Sequence, residues 1–489
     1  MSELEKFGAL VFDAFQKTCD SCPEKTAIVS DGNEISFAQL EREAKSLASV
    51  LGDAVRSRVV GLQIESPIDF MIAYFALATC DAYLVLVDPR QTAEQRENLL
   101  ADLAVNHVLV LSREQPSPEP GVRCLTEAGR DYCLCPTAVT LNPAARYEAG
   151  DFVVHTTSGS TGRPKGIAIS AKAVMARVES QQKSIRLTAD DTILCMLTLS
   201  HCHGIEVLML PGLMTGCTVV APSPPTITAR RLVKLIEQHR VTYFSTLPWF
   251  YSLMNESMTP DKCDFSSVRM MISASAKIQR RVANEFKSKF GIQIHQAYGL
   301  AEISTICVDR DGLDDTLIGF PLELVEVKLA SKDASTNEGE LIARGPGLAR
   351  GYINAPDDQA EMFRDGWLWS KDIVRREPNG FRLVGRLSSF INVGGDKVAP
   401  AMVEDVLMEY RNLRDVAVKG LEDPIEGERI VAFVILAADS DLDALKAHSR
   451  KRLPPHCQPR EWVIVSELPR NSIGKILPAN LTRPVSVGP

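Results

Sequence analysis

No stretch of the chain stays apolar for the roughly 18–20 residues that a membrane-spanning helix needs. The longest candidate, Met71 to Val87, is interrupted by Asp81. The opening residues, MSELEKFGAL, are charged and lack the apolar centre of a secretory signal. The expectation is a cytoplasmic protein with no membrane partner. Excess positive charge is missing too: 54 Lys and Arg against 62 Asp and Glu leave a net charge of −8. That argues against broad electrostatic capture of nucleic acid, but not against a local basic site for a small anion. A zinc-spaced set of cysteine pairs is absent. Cys19 and Cys22 form a C-x-x-C and Cys133 and Cys135 a C-x-C, yet neither has a second pair at zinc spacing. The 12 cysteines read as reduced, mostly buried thiols. There is no internal repeat and no low-complexity tract.

What is present is the composition of a soluble globular chain, 45% hydrophobic and 24% charged over 489 residues. That length exceeds one ordinary core. Helical apolar spacing in FAQLEREAKSLASVL (Phe37–Leu51) is followed by a strand-like VVGLQI (Val59–Ile64). The theme repeats with IDFMIAYFALATCDA before YLVLVDP, ARRLVKLIEQHRV before TYFSTL, and VANEFKSKFG before IQIHQAYG. Such alternation predicts an α/β fold with mostly parallel layered sheets. A boundary is expected near Arg386–Ile391, dividing a large multi-subdomain N-terminal domain (residues 1–386) from a small mobile C-terminal α+β domain (387–489). The smaller unit should contain a helix at Ala401–Tyr410, strands in DVAVKGL and RIVAFVIL, a helix near Leu442–Arg452 and a strand in EWVIVSEL. QPSPEPG (Gln115–Gly121) and APSPPT (Ala221–Thr226) read as surface loops.

The segment that carries the most chemistry is HTTSGSTGRPKG (His155–Gly166), which follows the strand-like DFVVH. Three glycines let the backbone turn tightly against an anion. Hydroxyls and loop amides can donate to phosphate oxygens, and Lys165 adds a positive charge. It is not a Walker A loop, because Gly166 follows the lysine where Ser or Thr is required. By composition alone it is equally a flexible polar loop.

Together with four further segments in order, this one closely resembles the phosphate loop of the adenylate-forming superfamily of acyl-CoA synthetases, peptide-synthetase adenylation domains and luciferases. QAYGLAE (Gln296–Glu302) resembles its tyrosine motif and GWLWSKDIV (Gly366–Val374) its aspartate motif. GRLSSFINVGGDKVAPAMVE (Gly385–Glu404) resembles its hinge and following loop, and LPRNSIGKI (Leu468–Ile476) its C-terminal lysine motif. The resemblance spans nearly the whole chain and is nearest to the acyl- or aryl-CoA ligase branch.

It implies an enzyme that activates a carboxylic acid with ATP as an acyl-adenylate, releasing pyrophosphate, and then passes the acyl group to a thiol. Thr157, Ser158, Gly159, Ser160, Thr161, Gly162 and Lys165 would cradle the phosphates. Glu302 would hold Mg²⁺, the one metal the reading calls for. Tyr298, with Gly299, Ser275 and Ala276, would line the nucleotide site. Asp372 would accept from the ribose hydroxyls with Arg386 assisting. Lys475 would offset charge at the α-phosphate during adenylation. The small domain would then swing about Ser388, bringing Gly394, Gly395 and Lys397 of the GGDKV loop to a thiol channel. The family usually has Asp or Lys where Ser388 stands.

LTLSHCHGIE (Leu197–Glu206) resembles the L-P-x-F-H-x-x-G stretch of acyl- and aryl-CoA synthetases, with His201 on the histidine that acts in catalysis and acid binding. Amino-acid-activating relatives carry an aspartate there, so an ordinary α-amino acid is disfavoured. The acid pocket would be walled by His201, Trp249, Ala274, Leu300 and Ile303. Glu206 would meet a polar or amino group on the acid, or else be solvated or paired internally. Trp249 supplies bulk, which favours a compact cyclic, aromatic or short-chain acid. The thiol would be coenzyme A or a carrier protein's phosphopantetheine. Capture of the adenylate by an amine such as an amino acid is the alternative, and a non-catalytic nucleotide-binding regulator is a third reading.

Overall fold

The computed structural model describes residues 8–482 apart from 115–121, 128, 159–163, 224–227, 313–316, 332–335, 424–426, 438–439, 471–475 and 478–479. Both Pro-rich loop expectations fall wholly or partly outside them. The fold is α/β, as the alternation of patterns predicts.

Helix Phe37–Leu51 has the predicted bounds, and its start follows from Ser36, whose hydroxyl accepts from the Gln39 amide. Helix Pro67–Thr79 is buried along nearly its whole length. Its apolar residues occupy every face, so it lies inside rather than on the surface. Helices Ala229–His239 and Arg280–Phe290 instead bury one stripe each, Leu232, Val233 and Ile236 in the first, Val282, Ala283 and Phe286 in the second.

Two large sheets form the N-terminal part. One has eight strands, with Tyr83–Leu86, Val59–Leu62 and His107–Leu111 running parallel at its centre. Strand Asp151–Ser158 adds parallel to Tyr83–Leu86 and pairs antiparallel with Pro164–Ser170. The other large sheet has a parallel centre built from Thr218–Val220, Thr192–Leu194, Tyr243–Thr246, Met270–Ser273 and Ile294–Leu300. Beyond Leu300 it continues through antiparallel pairings to the long neighbours Gly380–Arg386 and Trp367–Glu377, and ends with Glu338–Arg344 and Glu326–Ala330. The parallel expectation therefore holds for the sheet centres and not for the arm from Ser304 to Arg386.

A third sheet starts at Ile391 and uses Ile391–Val393, Asp396–Val398, Leu413–Asp423, Gly427–Leu436 and Glu461–Ile464. Helices Pro400–Met408 and Leu442–Arg452 cover it. It has cores of its own, around Val403, Leu407 and Val416 on one side and Val431 and Phe433 on the other. Side chains bridge to it from the larger part. Lys277 Nζ lies 2.5 Å from Asp405 Oδ2. Arg281 Nη1 donates to the carbonyls of Arg411 (3.2 Å) and Leu413 (2.9 Å). Among the described residues no helix is long and apolar enough to cross a membrane.

Candidate active site

The ends of strands from both large sheets converge on one polar region. Strand Asp151–Ser158 and strand Pro164–Ser170 are the two arms of the Gly/Ser/Thr segment, with Thr157 opposite Lys165 and Ser158 opposite Pro164. Gly159, Ser160, Thr161 and Gly162, at its tip, lie outside the described residues. Lys165 is half-buried, and its ammonium sits 2.5 Å from Asp358 Oδ1 and 5.9 Å from the centre of the Tyr352 ring.

Tyr352 links this lysine to Glu302. Its hydroxyl donates to Glu302 Oε1 at 2.5 Å, and the glutamate is 6% exposed. The Glu302 carbonyl accepts from the Ala349 amide at 2.7 Å and from Arg177 Nη2 at 2.9 Å. Both the main chain and the carboxylate of this residue are thus held in place. A nucleotide-borne Mg²⁺ keeps most of its shell from phosphates and water, needing one or two carboxylates from protein. A single fixed, largely buried glutamate fits that demand. Among the described residues no group of three or more His, Cys, Asp or Glu gathers as a metal cage.

Tyr298, on strand Ile294–Leu300, donates its hydroxyl to Asp372 Oδ2 at 2.6 Å. Burial, and then the Asp372 charge, push the phenol well above its ordinary range, so it stays protonated. Asp372 stands opposite Arg386 in the ladder between Trp367–Glu377 and Gly380–Arg386. The guanidinium Nε is 3.6 Å from Asp372 Oδ1. Antiparallel register thereby brings residues 14 apart in sequence to one place. Gly299 is required next to Tyr298: a Cβ there would lie 2.2 Å from the Ser304 carbonyl oxygen.

The segment His203–Met209 is a π-helix, a rare form that is frequent at functional sites. Gly204, its second residue, is in close contact, since a Cβ would meet the Thr198 carbonyl oxygen at 2.3 Å. His201, partly buried just before it, has its pKa lowered to about 4 by burial and by the neighbouring His155. It is neutral at pH 7 and accepts from the His203 amide at Nδ1 (3.2 Å). His203 is held between two hydroxyls, Ser275 Oγ at 2.9 Å and Ser245 Oγ at 2.8 Å. Burial and then His201 lower it to about 3.

Glu206, on the same π-helix, is 1% exposed. Both its oxygens are taken internally: Oε1 lies 2.9 Å from His155 Nε2 and Oε2 accepts from Arg177 Nη1 at 2.7 Å. Burial alone would raise its pKa. The Arg177 charge and the His155 contact overcome that and hold it down to about 2. Of the acid-facing, solvated and internally paired roles its sequence position suggested, the structure gives it the internal one and leaves no carboxylate oxygen unpartnered for an acid substrate.

The other wall positions spread out. Trp249 is 37% exposed and stacks on Phe250, with ring centres 3.8 Å apart. Ala274 is half-buried, and its amide donates to the Thr246 carbonyl. Ser275 takes a left-handed backbone (φ +66°), and it and Ala276 are exposed. Leu300 is half-buried, whereas Ile303 is 2% exposed within the main core. Gly394 (φ +61°) and Gly395 (φ +99°) form the exposed turn between Ile391–Val393 and Asp396–Val398, and Lys397 is exposed beside them. Ser388 lies in the short 3-10 turn Leu387–Ser389. Lys475 lies outside the described residues.

Sequence reasoning passed over His203, Arg177, Tyr352 and the role of His155. For His203 a signal existed, since it sits two residues from His201. The others carry no local pattern.

A family model described as AMP-binding enzyme matches residues 15–353, and one described as AMP-binding enzyme C-terminal domain matches residues 402–475. Indoleacetate–CoA ligase of Aromatoleum aromaticum is 29% identical, covering 93% of this chain and 94% of its own. Long-chain-fatty-acid–CoA ligase of Bacillus subtilis is 25% identical, covering 93% and 91%. The crystal structure of ATP-bound MatB from Rhodopseudomonas palustris shares the fold with a TM-score of 0.82 at 21% identity, over 96% of this chain and 98% of that one. Amide bond synthetase McbA from Marinactinospora thermotolerans does so with 0.80 at 24% identity, over 95% and 98%. The chain belongs to the AMP-binding enzyme family.

Proposed function

We propose that this family member is an ATP-dependent acid–thiol ligase that releases AMP. A carboxylate attacks the α-phosphorus of ATP and pyrophosphate leaves. A thiol, coenzyme A or a carrier protein's phosphopantetheine, then attacks the acyl carbon, loses its proton, and AMP leaves. The observation that carries the reading is the meeting of separate motifs in one region: Tyr298 on Asp372, Asp372 beside Arg386, and Glu302 fixed by Tyr352 near Lys165. Full-length relatives whose names are CoA ligases support the thiol as acceptor.

Three anionic groups must be held together, so charge neutralisation and positioning dominate the chemistry. Lys165 and the loop amides take the terminal phosphates. Glu302 would hold Mg²⁺, which when bound would supply Lewis-acid stabilisation of the phosphate oxygens. Asp372 accepts from the ribose hydroxyls, while the Tyr298 ring packs on the base. Lys475 brings its cation to the α-phosphate during adenylation and withdraws when the small domain turns about Ser388. The GGDKV turn then faces the thiol. Neutral His201 and His203 border the acid, which is sought first among compact cyclic, aromatic and short-chain acids.

A screen of carboxylic acids for acid-dependent ATP–pyrophosphate exchange tests the first half-reaction. No exchange with any acid sinks the enzyme reading. Mass analysis after adding coenzyme A, a holo carrier protein or amino acids tests the second. A thioester is expected; an amide as the only product overturns the thiol assignment.

A further inference from the structure

Three residues far apart in sequence form a charged network beneath the site. Arg177, in the middle of helix Ala171–Ile185, is 3% exposed. Its guanidinium donates in three directions: Nε to the Gly347 carbonyl at 2.7 Å, Nη1 to Glu206 at 2.7 Å, and Nη2 to the Glu302 carbonyl at 2.9 Å. Glu206 passes the connection to His155 Nε2 at 2.9 Å. His155 lies on the strand that leads into the phosphate-binding segment, two residues before Thr157.

We infer that Arg177, Glu206 and His155 are positioning residues that set the place of the metal-binding carboxylate Glu302 relative to the phosphate-binding strand. This rests on the adenylating reading above. The network spans the interval between those two elements and touches both. Arg177 and the Ala349 amide both donate to the Glu302 carbonyl, which pins the backbone from which the carboxylate projects. The planar fork of Arg suits three fixed acceptors, as a single ammonium does not. A buried ion group of this kind contributes little net stability compared with apolar residues of similar volume, so its use lies in geometry. The π-helix turns the Glu206 side chain inward to this network. The same π-helix begins with His203, whose ring meets Ser275. Through Glu206, Arg177 therefore links the phosphate strand and the histidine segment to the backbone of Glu302.

The test uses the full chain with three changes: Arg177→Lys, Glu206→Gln, and the pair Arg177→Met with Glu206→Leu, which removes both charges at once. ATP binding is measured by calorimetry across a Mg²⁺ series, alongside thermal melting and acid-dependent exchange. Residues that orient a metal ligand usually shift metal affinity by about 10–100-fold. The paired variant is expected to melt near wild type and to bind ATP without Mg²⁺ as wild type does. It should need at least about tenfold more Mg²⁺ for full ATP affinity. Exchange should show a lower kcat with the acid KM little changed. Arg177→Lys should fall between the two. A folded paired variant whose Mg²⁺ dependence matches wild type overturns the inference. If that variant does not fold, Arg177→Lys and Glu206→Gln carry the same comparison with the same overturning result. Absence of exchange in wild type, with the Mg²⁺ shift present, would sink the adenylating reading and leave the positioning role standing.

Discussion

Glu404 gives the most direct test of the electrostatics read from this structure. It lies on helix Pro400–Met408, and its Oε1 accepts from the Val418 amide at 2.8 Å. Burial raises its pKa to about 7 from the ordinary 4.5, with Asp405 and Asp415 adding to the rise and Lys277 and the Val418 amide opposing it. A carboxyl whose folded pKa is raised favours the folded state while it is protonated. That contribution is complete below about pH 4.5 and is lost as pH rises through about 7. At about 1.36 kcal/mol per pH unit, the gap corresponds to roughly 3 kcal/mol, most of it between about pH 5 and pH 8. Glu404→Gln keeps the acceptor for Val418 and cannot ionise. The variant should therefore be the more stable protein, by a margin that grows with pH. Hydrogen exchange at strand Leu413–Asp423, compared between the two proteins at each pH, reads the small unit by itself. Extra protection in the variant should rise from roughly fourfold near pH 5 to on the order of a hundredfold near pH 8. A constant ratio, or one that shrinks as pH rises, would refute the assignment of Glu404 as a half-buried carboxyl whose pKa desolvation raises.

Lys475→Ala should abolish acid-dependent pyrophosphate exchange and leave thioester formation from a supplied acyl-adenylate largely intact; equal loss of both half-reactions would show that the lysine does not serve one domain arrangement alone. Gly204→Ala should force apart the contact with the Thr198 carbonyl, costing about 1–3 kcal/mol. Its melting point should drop and its exchange activity fall with it, both checked against wild type at one pH.

Much of the fold is legible because burial repeats at short range. Helices Phe37–Leu51 and Leu442–Arg452 have the bounds their apolar spacing predicts. The parallel strands Val59–Leu62 and Tyr83–Leu86 follow from short apolar runs between helices. The antiparallel course of the arm from Ser304 onward escaped: Glu326–Ala330 buries no residue fully, and the regular alternation of Trp367–Glu377 marks a strand without saying which strand it pairs with. The π-helix His203–Met209 escaped as well, since every one of its residues is buried and no periodic stripe marks it. At the candidate site, ordered motifs singled out Tyr298, Glu302, Asp372 and Arg386. The partners of Glu206 were not. Arg177 and His155 stand 29 and 51 residues away from it, and pairing at that range is set by how helices and strands stack rather than by any local rule.

The rung joining Asp372 to Arg386 has one more consequence. Arg386 ends its strand, and the 3-10 turn Leu387–Ser389 follows at once, before the third sheet starts at Ile391. A ligand that draws on Asp372 therefore acts on the last rung before the chain leaves the large part. If its affinity differs between two settings of that turn, the ligand biases the setting, and the setting changes the affinity by the same factor. Nucleotide occupancy and the posture of the small unit would then be two readings of a single equilibrium, coupled across one pair of facing side chains.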